Sequence, residues 1–304
     1  METRSIGSLK VSVVGLGCNN FGGRLDEAGT AAVVNAAIDA GINFFDTADI
    51  YGGTKSETFM GRALGSRRDE IVLATKFGIK LSDERPGGAH PDYIRVAVED
   101  SLRRLQTDRI DLYQLHRPDP EGPIADTMGA LDALVRAGKV REIGCSNFTA
   151  EQLREAEAAA TGAKFVSVQN HYSLLHQEGQ ADVLAECDRQ AAAFLPYFPL
   201  ANGLLTGKYR KGAAPPEGSR ITTSGNFASW LSDANLDKVE ALIAYAEARG
   251  RTILELAFGW LLAKPVIASV IAGATKPGQI EANSAAAGWK LTGEEVAEID
   301  ALVA

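Results

Sequence analysis

The chain has 304 residues, 45% of them hydrophobic and 23% charged, with a formal net charge of −8 and a pI of ≈ 5.2. Apolar residues in that proportion, spread along the whole length, exclude a disordered chain, and the acidic balance argues against nucleic acid or an anionic membrane as a main partner. Cys18, Cys145 and Cys187 form no CxxC pair or disulfide framework, the N-terminus lacks signal-peptide order, and runs such as Ala191–Leu200 and Leu256–Ala263 are too short to span a bilayer, so the expected location is cytoplasmic.

In chain order, SLKVSVVGLG reads as a strand and Glu27–Ala40 as a helix stopped by Gly41. INFFDT is a strand, and SETFMGRAL a helix started by Ser56. DEIVLATK is a strand, followed by a helix over Asp92–Leu105. RIDLYQLH is a strand, and the helix Ile124–Arg136 ends at Ala137-Gly138. VREIGCS, KFVSVQN and AAAFLPYFP supply three more strands, with helices over Ala150–Ala160 and Gln180–Gln190 between them. An irregular stretch, Leu200–Trp230, is rich in Gly, Pro, Ser and Thr. Helices over Asp233–Arg249 and Thr252–Leu262, the strand VIASVIAG, and helices over Pro277–Ala287 and Thr292–Ala301 complete the chain.

About eight β-then-α units in succession predict a parallel sheet covered by helices. Their number and spacing fit an α/β fold of the (β/α)8 TIM barrel type, with a long loop after strand seven and a C-terminal helix; the competitor is a doubly wound open sheet. No linker-like stretch divides the chain, so residues 1–304 read as one domain. Gly15-Leu16-Gly17 begins like a dinucleotide fingerprint, but position 20 is Asn20 and the next helix starts too late for a Rossmann unit.

A barrel of this type carries its chemistry at the C-terminal ends of the strands. Strand two ends at Asp46, with Tyr51 in its loop; strand three ends at Lys76 and strand four at His116. Neighbouring strands lie ~4.8 Å apart, so these side chains can converge. Taken singly, each has an ordinary structural reading as a turn cap, packing residue or surface charge. Together they have a chemical logic. An ammonium beside a tyrosine stabilises phenolate, an aspartate holds the lysine, and a histidine orients a substrate oxygen. Such a set moves protons, and a hydride donor must do the rest. No histidine or cysteine pair has metal-ligand spacing. His171 is expected to face the pocket, and His90 and His176 solvent.

The segments VVGLGCNNFGG, AGINFFDTADIYGGTKSE, ATKFG, IDLYQLHRPDP, IGCSNF, VQNHYSLL, PYFPLANGLLTGKY and IAGATKPGQIEAN occur in this order from Val13 to about Ala287. They resemble the aldo-keto reductase family, and its bacterial and potassium-channel-β-like branch in particular. The resemblance implies NADPH-dependent reduction of a small-molecule aldehyde or ketone, with no metal, and with NADH as a weaker cofactor. It implies Tyr51 as general acid, Lys76 as the group that tunes it, Asp46 as partner of Lys76, and His116 as carbonyl orienter.

By the same resemblance, Ser146, Asn147 and Gln169 would hydrogen-bond the nicotinamide carboxamide, and Tyr197 would stack on its ring. Pro199, Leu200, Gly203 and Leu204 fall in the loop crossing the pyrophosphate, with Lys208 and Arg220 as phosphate-binding cations. Gly273, Thr275, Lys276, Gln279 and Asn283 match the adenosine end. Three positions depart from the pattern: Phe198 where relatives have Ser, Ala282 where they have Glu, and Gln279 where small monomeric members carry Arg. The pocket walls are expected among Phe21, Phe77, Phe198, Phe227 and Trp230. Two other functional classes remain open: an NADP(H)-binding redox sensor with little turnover, and a Schiff-base lyase using Lys76. Oligomeric state, physiological substrate and reaction direction leave no signature in the residues.

Overall fold

A computed structural model describes residues 1–84, 87–223 and 225–304, with the side chains of 225–227 outside that description. Eight parallel strands form one sheet: Val14–Gly17 (β3), Phe44–Asp46 (β4), Val72–Phe77 (β5), Ile110–Leu115 (β6), Val140–Ser146 (β7), Phe165–His171 (β8), Ala193–Tyr197 (β9) and Val270–Gly273 (β10). β10 pairs with β3, and the order then runs unbroken to β9. The ring closes through a parallel bridge between Phe194 and Ile267, with the Phe194 amide donating to the Val266 carbonyl at 2.8 Å. The sheet is a nearly closed barrel.

β4, β5 and β6 are buried along their whole length. Strands covered on both faces are mostly apolar, and the buried polar residues that interrupt these three include Asp46, Lys76 and Gln114. Helices Glu27–Asp39 (α1), Lys55–Leu64 (α2), Pro91–Leu105 (α3), Ile124–Arg136 (α4), Ala150–Ala159 (α5) and Ala181–Gln190 (α6) follow successive strands. After β9 come Arg220–Thr223 (α7), Asp233–Glu247 (α8), Ile253–Leu262 (α9), Pro277–Ala286 (α10) and Gly293–Val303 (α11). Sequence chemistry starts many of them. Thr149, Thr252 and Thr292 form capping boxes with Gln152, Glu255 and Glu295, and Asp26 caps α1 through the Gly29 amide.

Three local expectations change. The opening apolar run is not one strand. Thr3–Ile6 (β1) and Leu9–Ser12 (β2) form an antiparallel hairpin turning at Gly7 and Ser8, with Gly7 at φ +55°. Ile6, Leu9 and Val11 of this hairpin pack with Phe44, Val72, Ala74, Leu112 and Leu195 from the strands, which plugs the barrel at the N-terminal end. Secondly, Ser56 does not cap α2. Its hydroxyl donates to the Cys18 carbonyl at 2.9 Å and lies 2.8 Å from the Thr47 hydroxyl, tying the strand-one and strand-two loops together; Thr54 takes the cap position. Thirdly, the Leu200–Trp230 stretch has structure, with 3₁₀ turns over Ala201–Thr206 and Gly225–Leu231 flanking α7. No helix among the described residues is long and apolar enough to cross a membrane.

Candidate active site

The eight strands end at Gly17, Asp46, Phe77, Leu115, Ser146, His171, Tyr197 and Gly273, so the chemistry-bearing residues gather at one rim. Pairing continues past the end of β4: the Thr47 amide donates to Ala74 and the Asp49 amide to Lys76. The chain then turns, and Tyr51 bonds back to the Ala48 carbonyl. Gly52 follows at φ +59°, where a Cβ would stand 2.4 Å from the Phe21 carbonyl oxygen. Only glycine fits this close approach.

Lys76 is fully buried beneath Tyr51. Its ammonium donates to Asp46 Oδ2 at 2.6 Å and to the Thr47 carbonyl at 2.9 Å, and lies 5.2 Å from the Tyr51 ring centroid. The other Asp46 oxygen accepts from Gln114 Nε2 at 3.1 Å and Gln169 Nε2 at 2.9 Å. Every Asp46 oxygen is therefore occupied, as a buried carboxylate requires. His116 meets the Tyr51 ring edge-on, with centroids 5.9 Å apart.

The electrostatics decide which proton states these groups hold. Burial pushes the Tyr51 hydroxyl above its usual range, and Lys76 opposes that without overcoming it. The tyrosine is thus an acid at neutral pH, not a phenolate. Burial pulls Lys76 down, but Asp46 and Tyr51 outweigh it and hold the ammonium above its ordinary value. His116 falls to about 3, through burial first and then the charges of Lys76 and Arg117, so it is neutral and its Nδ1 has no partner among the described residues. The set can donate a proton from Tyr51 while a neutral imidazole steers the accepting oxygen.

A cavity of ≈ 580 Å³ opens above them, lined by Asp46, Tyr51 and His116. Ser146, Asn147, Gln169 and Tyr197 line the same cavity. Asn147 sits at φ +63°; its Nδ2 donates to the His116 carbonyl at 2.9 Å and to Ser146 Oγ at 3.1 Å, and its Oδ1 accepts from the Tyr197 hydroxyl at 2.9 Å. Ser146 Oγ donates to the Gln169 carbonyl at 2.7 Å. Gln169 gives one amide proton to Asp46 and keeps the other.

Pro199, Leu200, Gly203, Lys208 and Arg220 form the next part of the wall, and Gly273, Thr275, Gln279 and Asn283 another. Lys208 is pulled down by burial and by Arg24 and Arg220, a crowding of like charge that suits phosphate groups. The side chain of Gln279 accepts from the Thr275 amide at 2.7 Å and its hydroxyl at 3.1 Å. A long, polar-ended ligand with negative charge in the middle fits this donor set. Asn202 supports the fit: it lines the cavity, is 94% buried by its 6% exposure, and neither of its amide atoms has a partner among the described residues.

Two residues of the expected cofactor set stand off the wall. Leu204 is fully buried in the core, and Lys276 is an exposed N-cap of α10. His171 does not face the cavity either. It lies behind Tyr197, with ring centroids 5.3 Å apart, and stacks at 3.7 Å on His176, which is therefore not a solvated side chain. His90 caps α3 through the Asp92 amide. Among the expected wall residues, Phe198 lines the cavity; Phe21 and Phe77 are core, Trp230 packs on His171, and the Phe227 side chain lies outside the described residues.

The sequence reading passed over Gln114, Arg24, Arg117, Asn202 and Thr206. Gln114 was reachable: it precedes His116 by two residues on a buried strand, and so shares its face. No group of three or more potential metal ligands occurs among the described residues.

A model of the aldo/keto reductase family matches residues 13–304. The chain is 36% identical to the aldo-keto reductase YhdN of Bacillus subtilis, across 100% of this chain and 94% of that protein. It is 35% identical to the aldo-keto reductase yakc [NADP(+)] of Schizosaccharomyces pombe, across 98% and 90%. It is 33% identical to a probable voltage-gated potassium channel subunit beta of Arabidopsis thaliana, across 93% and 90%. In structure it is similar to the holo form of aldo-keto reductase AKR11C1 from Bacillus halodurans, with a TM-score of 0.83 and 33% identity, covering 99% of this chain and 96% of that one.

Proposed function

The chain belongs to the aldo/keto reductase family, and from that premise we propose that residues 1–304 act as one NADPH-dependent carbonyl reductase unit. The observation that carries the proposal is a protonated, half-buried Tyr51 beside neutral His116 at the cavity, with the Lys76–Asp46 pair beneath. The nicotinamide cofactor, when bound, supplies the hydride. Tyr51 donates its proton to the developing alkoxide. Lys76 stabilises the phenolate left behind, and Asp46 keeps Lys76 charged and in place. His116 donates a hydrogen bond that fixes the carbonyl oxygen near the Tyr51 hydroxyl. Ser146, Asn147, Gln169 and Tyr197 would hold the nicotinamide end. Lys208, Arg220 and Arg24 would take the phosphates, and Thr275, Gln279, Asn283 and Asn202 the adenosine end. NADH is the expected weaker cofactor.

Tyr51→Phe removes the proton and little volume. We expect NADPH affinity within about threefold of wild type, and turnover of aldehydes lowered by at least ~10²-fold. Absorbance of NADPH with an aldehyde panel measures the second, and fluorescence titration the first. Normal turnover in the variant would remove Tyr51 from the acid role. The similarity to a protein named as a potassium channel β subunit favours a second reading, a redox-sensing NADP(H) binder. Tight NADPH binding with no turnover across the whole panel would put that reading first.

A further inference from the structure

The cavity holds one cation that the reductase reading does not use. Elsewhere in the chain arginines sit in ion pairs, as Arg68 does with Asp111, Arg104 with Glu57 and Arg154 with Glu186. Arg117 lines the cavity beside His116 and has no carboxylate partner among the described residues. The acids that might have paired with it are engaged. Asp119, two residues on, accepts from the Ala89 amide at 2.6 Å and the Glu121 amide at 3.0 Å. Asp46 is held by Lys76, Gln114 and Gln169.

Arg117 also stands apart from the phosphate cations. Lys208 and Arg220 are each depressed by burial and then by Arg24, and Lys208 by Arg220 as well, but Arg117 figures in neither. Its charge is felt instead at His116 and Tyr197, the catalytic end of the cavity. In a protein of net charge −8, a positive group there adds local attraction for an anion at the reacting corner.

Resting on the reductase reading above, we propose that Arg117 recognises the substrate, and that the preferred substrates are aldehydes or ketones bearing a carboxylate a few bonds from the carbonyl. The carbonyl oxygen lies at Tyr51 and His116, and the carboxylate meets the guanidinium, whose planar fork matches it in two hydrogen bonds. One guanidinium fork matches one carboxylate.

The test compares matched pairs: 4-oxobutanoate against butanal, and 4-carboxybenzaldehyde against benzaldehyde. Each is titrated by calorimetry into the NADP⁺-loaded protein, and each is assayed for kcat/KM with NADPH. The carboxylated member should bind, and react, about tenfold or more better than its neutral partner, the worth of one charge-assisted hydrogen bond. Arg117→Gln should bring that ratio close to one, and Arg117→Lys, which keeps the charge and loses the fork, should retain only part of it. Equal affinities in the wild type, or a ratio unchanged in Arg117→Gln, overturn the proposal. A charge-dependent preference in binding without any turnover keeps the anion site and sinks the reductase reading, so the two failures are distinct.

Discussion

Asp46 and Asp49 stand three residues apart, and their surroundings treat them in opposite ways. Asp46 has three side-chain donors. Asp49 is just as buried, and neither of its oxygens has a hydrogen-bond partner among the described residues. Burial, and then the charge of Glu57, drive it from an ordinary 3.8 to about 7. The folded value lies above the unfolded one. Between those two pH values the native state holds a proton that the unfolded chain has released, so stability falls as pH rises through the window. Asp49→Asn removes that penalty. It should stabilise the protein by about 2–4 kcal/mol above pH 7 and by little below pH ~4. Urea denaturation at the two pH values measures this, and an equal effect at both would show that Asp49 is not a buried titrating acid. The convergence of Asp46, Tyr51, Lys76 and His116 was legible because strand ends face one rim and alternate residues share a face. Asp49 was not, because the sequence reads as loop from Thr47 onward. In fact the backbone goes on pairing with β5, and that places the carboxyl near Glu57.

At the level of elements, the βα alternation was readable because each unit carries its own period and caps. The hairpin was not, since β1 (Thr3–Ile6) is mostly polar and Leu9–Gly17 reads as a single strand-like run. The misplaced cap at Ser56 has a similar cause. A hydroxyl before a helix is a good local cap, but here a tertiary bond to Cys18 claims it. That bond and the Gly52 approach hold the Tyr51 loop against the strand-one loop. A methyl at Gly52 meets both a positive φ and the Phe21 carbonyl at 2.4 Å. Gly52→Ala should therefore displace the loop carrying Tyr51, costing about 2 kcal/mol or more of stability. We expect kcat to fall in proportion far beyond any change in NADPH affinity, since Tyr51 moves and Lys208 and Arg220 do not. Stopped-flow turnover and urea denaturation of this one variant check both parts. Wild-type kcat would mean the loop tolerates a side chain there.

On the scale of the whole molecule, composition and site point in opposite directions. A net charge of −8 argues against polyanionic partners, yet it conceals a cavity whose wall gathers Arg24, Lys208 and Arg220. Net charge is a sum over the surface and carries no information about where one sign is concentrated. Arg24 shows how the fold makes the concentration. It comes from the loop after β3, and its guanidinium donates to the Gly218 carbonyl at 2.9 Å, bringing two distant segments together over the groove. The resemblance to a family named Lys208 and Arg220, but only the tertiary fold brings Arg24 to them. A clustered cation site inside an acidic envelope makes the binding of a phosphate-bearing ligand sensitive to salt. From low ionic strength to about 0.5 M sodium chloride, the Kd for NADPH should rise about tenfold. Lys208→Gln should weaken binding at low salt and flatten that slope, because one of the screened charges is gone. Fluorescence titration across the salt series measures both. A Kd that does not change with salt in the wild type would mean that the three cations are already neutralised by the protein and that the phosphates are held by backbone amides alone.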